Sequence, residues 1–144
     1  MVGVTLCALL GVGVVQRLER AEVVDVDGVV VAIEGHDVDF SWWDRMSIGV
    51  GTGGTVGLVA DRCVGFVSGR HGVGTADDTV IAWPPGTRVA GTASDLRITA
   101  HGVTVRLGEQ ITGGFEFGHD LSALRKQLPA ACRHARLENV DPTG

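Results

Sequence analysis

The strongest structural signal in this chain is an Asp-Gly pair between two runs of β-branched residues, within residues 22–33. The flanking positions are mostly valine, namely Val23, Val24 and Val26 before the pair and Val29, Val30, Val31 and Ile33 after it. A two-residue turn of this kind requires positive φ at both central positions, which Asp27 and Gly28 tolerate. The pattern therefore predicts an antiparallel β-hairpin.

The composition extends this prediction to the rest of the chain, which contains 23 Val and 22 Gly among 144 residues. Valine favours pleated strands, and glycine favours tight turns and bulges. Short strands bounded by Gly, Asp or Pro are predicted at residues 55–60, 63–68, 79–83, 87–90, 95–100, 103–107, 110–117 and 135–140. His101-Gly102 predicts a second hairpin. Such spacing is typical of a sandwich or a small barrel.

One segment has helical periodicity. Leu121, Leu124 and Leu128 share one face of a helix predicted over residues 120–128, which Asp120 would cap and Pro129 would end. The expected fold class is therefore all-β, with one short C-terminal helix.

The chain length suits a single domain with a real core. We expect an apolar leader or weak anchor at residues 1–21, an N-terminal β-hairpin extension at 22–48, a glycine-rich connector at 49–57 and the main domain at 55–144. The connector matches G-x-G-x-x-G, but β-like residues follow it. A dinucleotide site needs a helix there, so the match is interpreted as accidental.

Residues 2–15 are apolar except for Thr5, and they precede Arg17 and Arg20. This run of about 14 residues is shorter than a membrane-spanning helix but long enough for the core of a secretory signal. No basic residue precedes it and no clean cleavage site follows. An exported or membrane-associated protein, with membrane association through residues 2–15, and a cytoplasmic protein with a buried N-terminal element both remain open.

Cys63 and Cys132 are the two cysteines in the body of the chain. A disulfide between them would close a loop of about 70 residues and stabilise the fold by roughly 4 kcal/mol. It would require an oxidising compartment. Two buried free thiols are the alternative.

Residues from about 55 to 140 resemble small exported or lipid-anchored bacterial domains of uncharacterised function, of an actinobacterial type. The matching pieces are Gly57 with Cys63, the motif 83–87 (Trp-Pro-Pro-Gly-Thr), the motif 102–109 with Ile111 and Gly113-Gly114, and the motif 129–132. The resemblance implies a small OB-like, Greek-key β-barrel and an exported protein. It also favours the Cys63–Cys132 disulfide, and it implies no reaction.

Charge argues against nucleic acid as a partner. The formal net charge is -5, and the sequence contains no stripe of clustered basic residues, which a nucleic-acid-binding protein would normally show. The nearest approach to a basic cluster comprises Arg125, Lys126, Arg133 and Arg136, which are interpreted as solvated surface.

Catalytic and metal sites are not expected. The histidines are His36, His71, His101, His119 and His134, and none has the spacing of a metal motif. No cofactor motif is present either. A hydrolase using His71 or His119 is kept as a second alternative, although no nucleophile elbow accompanies these histidines.

Binding is the better functional hypothesis. The expected function is a non-catalytic, envelope-associated module with a structural or protein-interaction role, whose partner would be another envelope protein or a small ligand. The first alternative is a small-ligand or carbohydrate-binding module, in which Trp42, Trp43 and Trp83 form an aromatic platform. Burial of all three rings in the core is the competing interpretation.

Overall fold

The computed structural model describes residues 20–35, 50–68, 78–115 and 121–143. These residues are mostly in strands, which confirms the predicted β class. The strands are β1 (Glu22–Val26), β2 (Val29–Ile33), β3 (Val50–Val59), β4 (Cys63–Ser68), β5 (Thr79–Trp83), β6 (Arg88–Thr92), β7 (Asp95–Ala100), β8 (Val103–Arg106), β9 (Gln110–Phe115), β10 (Arg136–Asn139) and β11 (Asp141–Thr143). Helix α1 (Ser122–Gln127) and a 3-10 helix (Ala130–Cys132) lie between β9 and β10.

Both predicted hairpins are confirmed. Asp27 and Gly28 have φ values of 51° and 90°, and Val26 pairs with Val29. The turn at His101 and Gly102 has φ values of 46° and 81°. Positive φ at both central positions matches the right-handed twist of the strands that the turn connects.

The strands form two sheets in the part of the chain that the structure describes. The larger sheet has the order β1-β2-β5-β4-β3-β9-β11, with β10 parallel to β5. The smaller sheet has the order β6-β7-β8. Strands β1 and β11 are the ends of the longer path and do not pair with each other. The sheets are therefore not closed by backbone pairing, and the barrel topology stays a prediction.

Strand β2 lies inside the larger sheet, whereas the sequence placed its hairpin in an extension outside the main domain. It pairs with β5 through Ala32 and Ile33, and with β4 through Val30. All five residues of β2 are buried. An uninterrupted apolar run is typical of a strand covered on both faces, which is the physical reason for its central position.

The glycine-rich stretch predicted as a connector is largely strand, because β3 begins at Val50. Its glycines allow close approach between neighbouring strands. A Cβ atom on Gly53 would lie 2.7 Å from the carbonyl oxygen of Ile111, and one on Gly113 would lie 2.5 Å from that of Asp141. These glycines therefore serve backbone packing within the ladder of β3, β9 and β11.

The larger sheet separates two hydrophobic cores. The first lies toward the smaller sheet and includes Trp83, Phe66, Ile81, Leu96 and Ile98. The second lies toward the helices and is formed by Val30, Ala32, Val59, Cys63, Val80, Ala82, Leu124, Leu128, Cys132 and Leu137. Alternate residues of β2 and β5 point into opposite cores, so these strands tie the layers together.

Helix α1 is shorter than the predicted helix over residues 120–128. Leu124 and Leu128 are each 1% exposed, which confirms the predicted apolar face. Leu128 has extended backbone angles, φ -65° and ψ 148°. The residue before a proline avoids helical angles, so Pro129 ends the helix one residue early. Asp120, the predicted cap, lies outside the described residues.

Candidate functional site

The structure contains the disulfide between Cys63 and Cys132. Cys63 is the first residue of β4 and Cys132 is the last residue of the 3-10 helix. Both are 0% exposed and belong to the core beneath the helices. The bond therefore fixes the helical layer to the larger sheet.

Trp83 does not form part of an exposed aromatic platform. It is 0% exposed, at the end of β5 in the first core. Its carbonyl accepts a hydrogen bond from the backbone N–H of Glu34 at 2.8 Å, while its indole Nε1 has no hydrogen-bond partner among the described residues. A ring in this position cannot stack on a ligand from solvent. The other two predicted platform residues, Trp42 and Trp43, lie outside the described residues.

The histidines within the described ranges do not meet in one place. His101 lies at the turn between β7 and β8, where its Nδ1 is 2.8 Å from Oδ1 of Asp141. His134 is exposed in the segment after the 3-10 helix. Among the residues that the structure describes, no group of three or more His, Cys, Asp or Glu side chains is arranged to hold a metal. His36, His71 and His119 lie outside them.

An open depression beside helix α1 has a volume of about 560 Å³. We call it the basic depression. Its lining residues are Leu121, Ser122, Arg125, Lys126, Arg133 and Leu137. The lining therefore includes two leucine side chains, one hydroxyl and three cations. An anion would find donors on several sides here.

Arginine side chains fix the shape of the basic depression. The Nη1 group of Arg125 donates to the carbonyl oxygens of Arg133 at 2.6 Å and Ala135 at 2.8 Å. The Nε group of Arg133 donates to the carbonyl oxygen of Leu128 at 2.9 Å. These bonds hold both guanidinium groups in place. They use only some of the five N–H donors that each group carries, so other donors remain for a ligand.

Within the described residues, the cations of the basic depression have no carboxylate partner, and the same holds for Arg88 and Arg97 on the smaller sheet. Three other arginines are paired, namely Arg62 with Asp25 (3.8 Å), Arg106 with Asp95 (3.1 Å) and Arg136 with Glu138 (3.1 Å). Arg125, Lys126 and Arg133 make no such pair. Together they create a local positive potential, although the formal net charge of the chain is -5.

From the sequence, these basic residues were predicted to be solvated surface. The signal that would have found the site is spacing: Ser122, Arg125 and Lys126 are three and four positions apart, so they lie close together on a helix. Arg133 could not be placed from spacing, because the 3-10 helix and the disulfide bring it back toward α1. Arg136 is paired with Glu138 and does not line the depression.

Comparisons with protein-family models, with curated proteins and with solved structures gave no match to this chain. Among the described residues, no helix has the length and apolar character needed to cross a membrane. The site is therefore interpreted from its own geometry.

Proposed function

We propose that this protein is a non-catalytic binding module that acts outside the cytoplasm, exported or held at the membrane through residues 2–15. The observation that carries the proposal is the basic depression on a helical layer that a buried disulfide fixes to the sheet. A disulfide persists in an oxidising compartment. Three cations without a carboxylate partner among the described residues provide a surface for an interaction.

The proposal includes a barrel-like, OB-like arrangement of the two sheets. The smaller sheet contacts both ends of the larger one. The backbone N–H of Ala93 donates to Oδ2 of Asp27 in the β1–β2 turn at 3.4 Å, and His101 lies 2.8 Å from Asp141 of β11. These two contacts support the proposal that the smaller sheet closes the gap between β1 and β11. Nuclear Overhauser effects from β1 to β6 and from β8 to β11 would support this closure, and their absence would contradict it.

The redox state of the cysteines in cells tests the compartment. We expect cells quenched with acid and treated with a high-mass maleimide under denaturing conditions to yield protein whose Cys63 and Cys132 are unmodified without reductant. A variant lacking residues 2–15 is the matched control, and its two cysteines should both be modified. Modification of both cysteines in the unaltered protein would refute the proposed compartment.

Site-specific photo-crosslinking in cells tests the binding surface. A photoreactive residue in place of Ser122 lies in the basic depression and keeps its three cations, and the same residue in place of Ala90 lies on exposed β6. We expect a discrete adduct only from position 122. Equal adducts from both positions, or none from position 122, would show that the depression is not the binding surface.

A further inference from the structure

We infer that the basic depression binds a phosphate group, carried by a free phosphate ester or by a lipid headgroup. The inference rests on the proposed binding surface, and it adds the chemical class of the ligand. It does not depend on the compartment, because the donors belong to the folded protein wherever it is found.

The balance of charge in the basic depression favours a phosphate ligand. Arg125, Lys126 and Arg133 bring three positive charges to one depression, and no carboxylate among the described residues neutralises them. A single carboxylate would compensate one of these charges and offer two oxygens. A phosphate monoester carries about -1.5 to -2 charges and three strongly accepting oxygens at neutral pH. Phosphate therefore matches this cluster better than a carboxylate does.

The type and rigidity of the N–H donors in the basic depression also favour phosphate. Guanidinium groups bind phosphate through paired N–H donors, and an ammonium group adds a mobile point charge. The carbonyl contacts at 2.6 and 2.8 Å orient Arg125, and the contact at 2.9 Å orients Arg133. Donors that are already held lose less side-chain entropy when a ligand binds.

Part of the lining is apolar. Leu137 is 9% exposed and Leu121 is half-buried, and both line the depression. An apolar part of the lining suits the carbon chain of a phosphate ester better than a fully hydrated inorganic ion. The expected ligand is therefore an organic phosphate.

Titration of the full-length, oxidised protein with glycerol 3-phosphate tests the inference, with amide chemical shifts recorded by NMR. We expect saturable shifts in α1 and around Arg133, and Lys126→Gln should weaken binding by about tenfold, as for one lost charge-assisted contact. Lys126 makes no hydrogen bond or ion pair within the described structure, so this change should leave the fold intact.

Arg97→Gln is the matched control. Arg97 lies on the exposed face of β7, in the smaller sheet on the far side of the larger one, and its replacement removes the same charge. We expect its affinity for glycerol 3-phosphate to change by less than about twofold, because salt screens distant charges. Equal weakening by both variants would overturn the inference, as would equal binding of acetate.

Vesicles distinguish the two sources of phosphate. Phosphatidic acid carries a phosphate monoester as its headgroup, so it is the lipid that fits the charge of the depression. Co-sedimentation with vesicles containing phosphatidic acid that exceeds co-sedimentation with phosphatidylcholine vesicles, and that Lys126→Gln reduces, would identify a lipid headgroup. Binding of glycerol 3-phosphate without this preference would identify a free ester. Failure in both experiments would overturn the inference, yet the thiol modification assay would still report independently on the compartment.

Discussion

Cys63 and Cys132, which are 69 positions apart in the chain, are joined by a disulfide in which both residues are fully buried. The closed loop contains the whole smaller sheet and helix α1. The bond therefore links the helical layer to β4 across most of the main domain, and it restricts the unfolded chain more than a short loop would.

Replacement of both cysteines by alanine should lower the free energy of unfolding by about 4 kcal/mol, the value expected for a loop of this length. Urea unfolding of the oxidised protein and of the Cys63→Ala/Cys132→Ala variant measures the difference. The unaltered protein unfolded with reductant present is the control and should resemble the variant. An unchanged unfolding midpoint would contradict a stabilising role for the bond.

Trp83 supports a second prediction, because its ring is fully buried and its Nε1 has no hydrogen-bond partner among the described residues. Trp83→Ala should lower the free energy of unfolding by about 3 to 5 kcal/mol through the cavity that it leaves. Trp83→Phe should have a smaller effect, about 1 to 2 kcal/mol, since it also removes an unsatisfied buried donor.

Fluorescence checks the position of Trp83 independently. In a background where phenylalanine replaces Trp42 and Trp43, the remaining emission should be blue-shifted and weakly quenched by acrylamide. Strong quenching would place the Trp83 ring at the surface and would support the predicted aromatic platform for ligand binding.

Local signals in the sequence predicted the strands and turns well. The Asp27-Gly28 and His101-Gly102 hairpins follow from the positive φ that their turns need, and the Leu124 and Leu128 spacing follows from helical periodicity. The order of the strands in the sheet could not be obtained in this way. The parallel pairing of β2 with β5 joins residues about 50 positions apart, and no turn encodes such a contact.

The candidate site could not be predicted from local sequence patterns either, because it depends on contacts between distant parts of the chain. Arg125 and Lys126 are neighbours in sequence, and their helical spacing was visible. Arg133 joins them only because Pro129 ends the helix and Cys132 is bonded to Cys63. The site is thus a product of the tertiary fold, although each of its residues is unremarkable alone.

The turn between β3 and β4 gives a third prediction, because Ala60 has a φ of 51°. A side chain with a Cβ atom is strained in this left-handed region, whereas glycine is not. Ala60→Gly should therefore raise the free energy of unfolding by about 0.5 to 1 kcal/mol. Thermal unfolding measures the change. Ala90→Gly, in strand β6, is the control and should destabilise the protein by a similar amount.

The last prediction separates the positioning role of Arg125 from its charge. Its Nη1 group donates to the carbonyl oxygens of Arg133 and Ala135, which lie beyond the 3-10 helix. Lysine keeps the charge, but its ammonium nitrogen lies one bond closer to the backbone than Nη1 and on a flexible chain, so it does not hold both oxygens as the rigid guanidinium does. Arg125→Lys should therefore lower the free energy of unfolding by about 1 to 2 kcal/mol, as expected for two lost hydrogen bonds.

Urea unfolding measures this effect, and Arg97→Lys on the exposed face of β7 is the matched control, with an expected change below about 0.5 kcal/mol. Hydrogen exchange adds a local measurement. The amide of Cys132, which donates to the carbonyl oxygen of Pro129 at 2.9 Å, should exchange faster in Arg125→Lys because the segment around it is held less firmly. Unchanged stability together with unchanged exchange at Cys132 would mean that Arg125 does not hold the segment that shapes the basic depression.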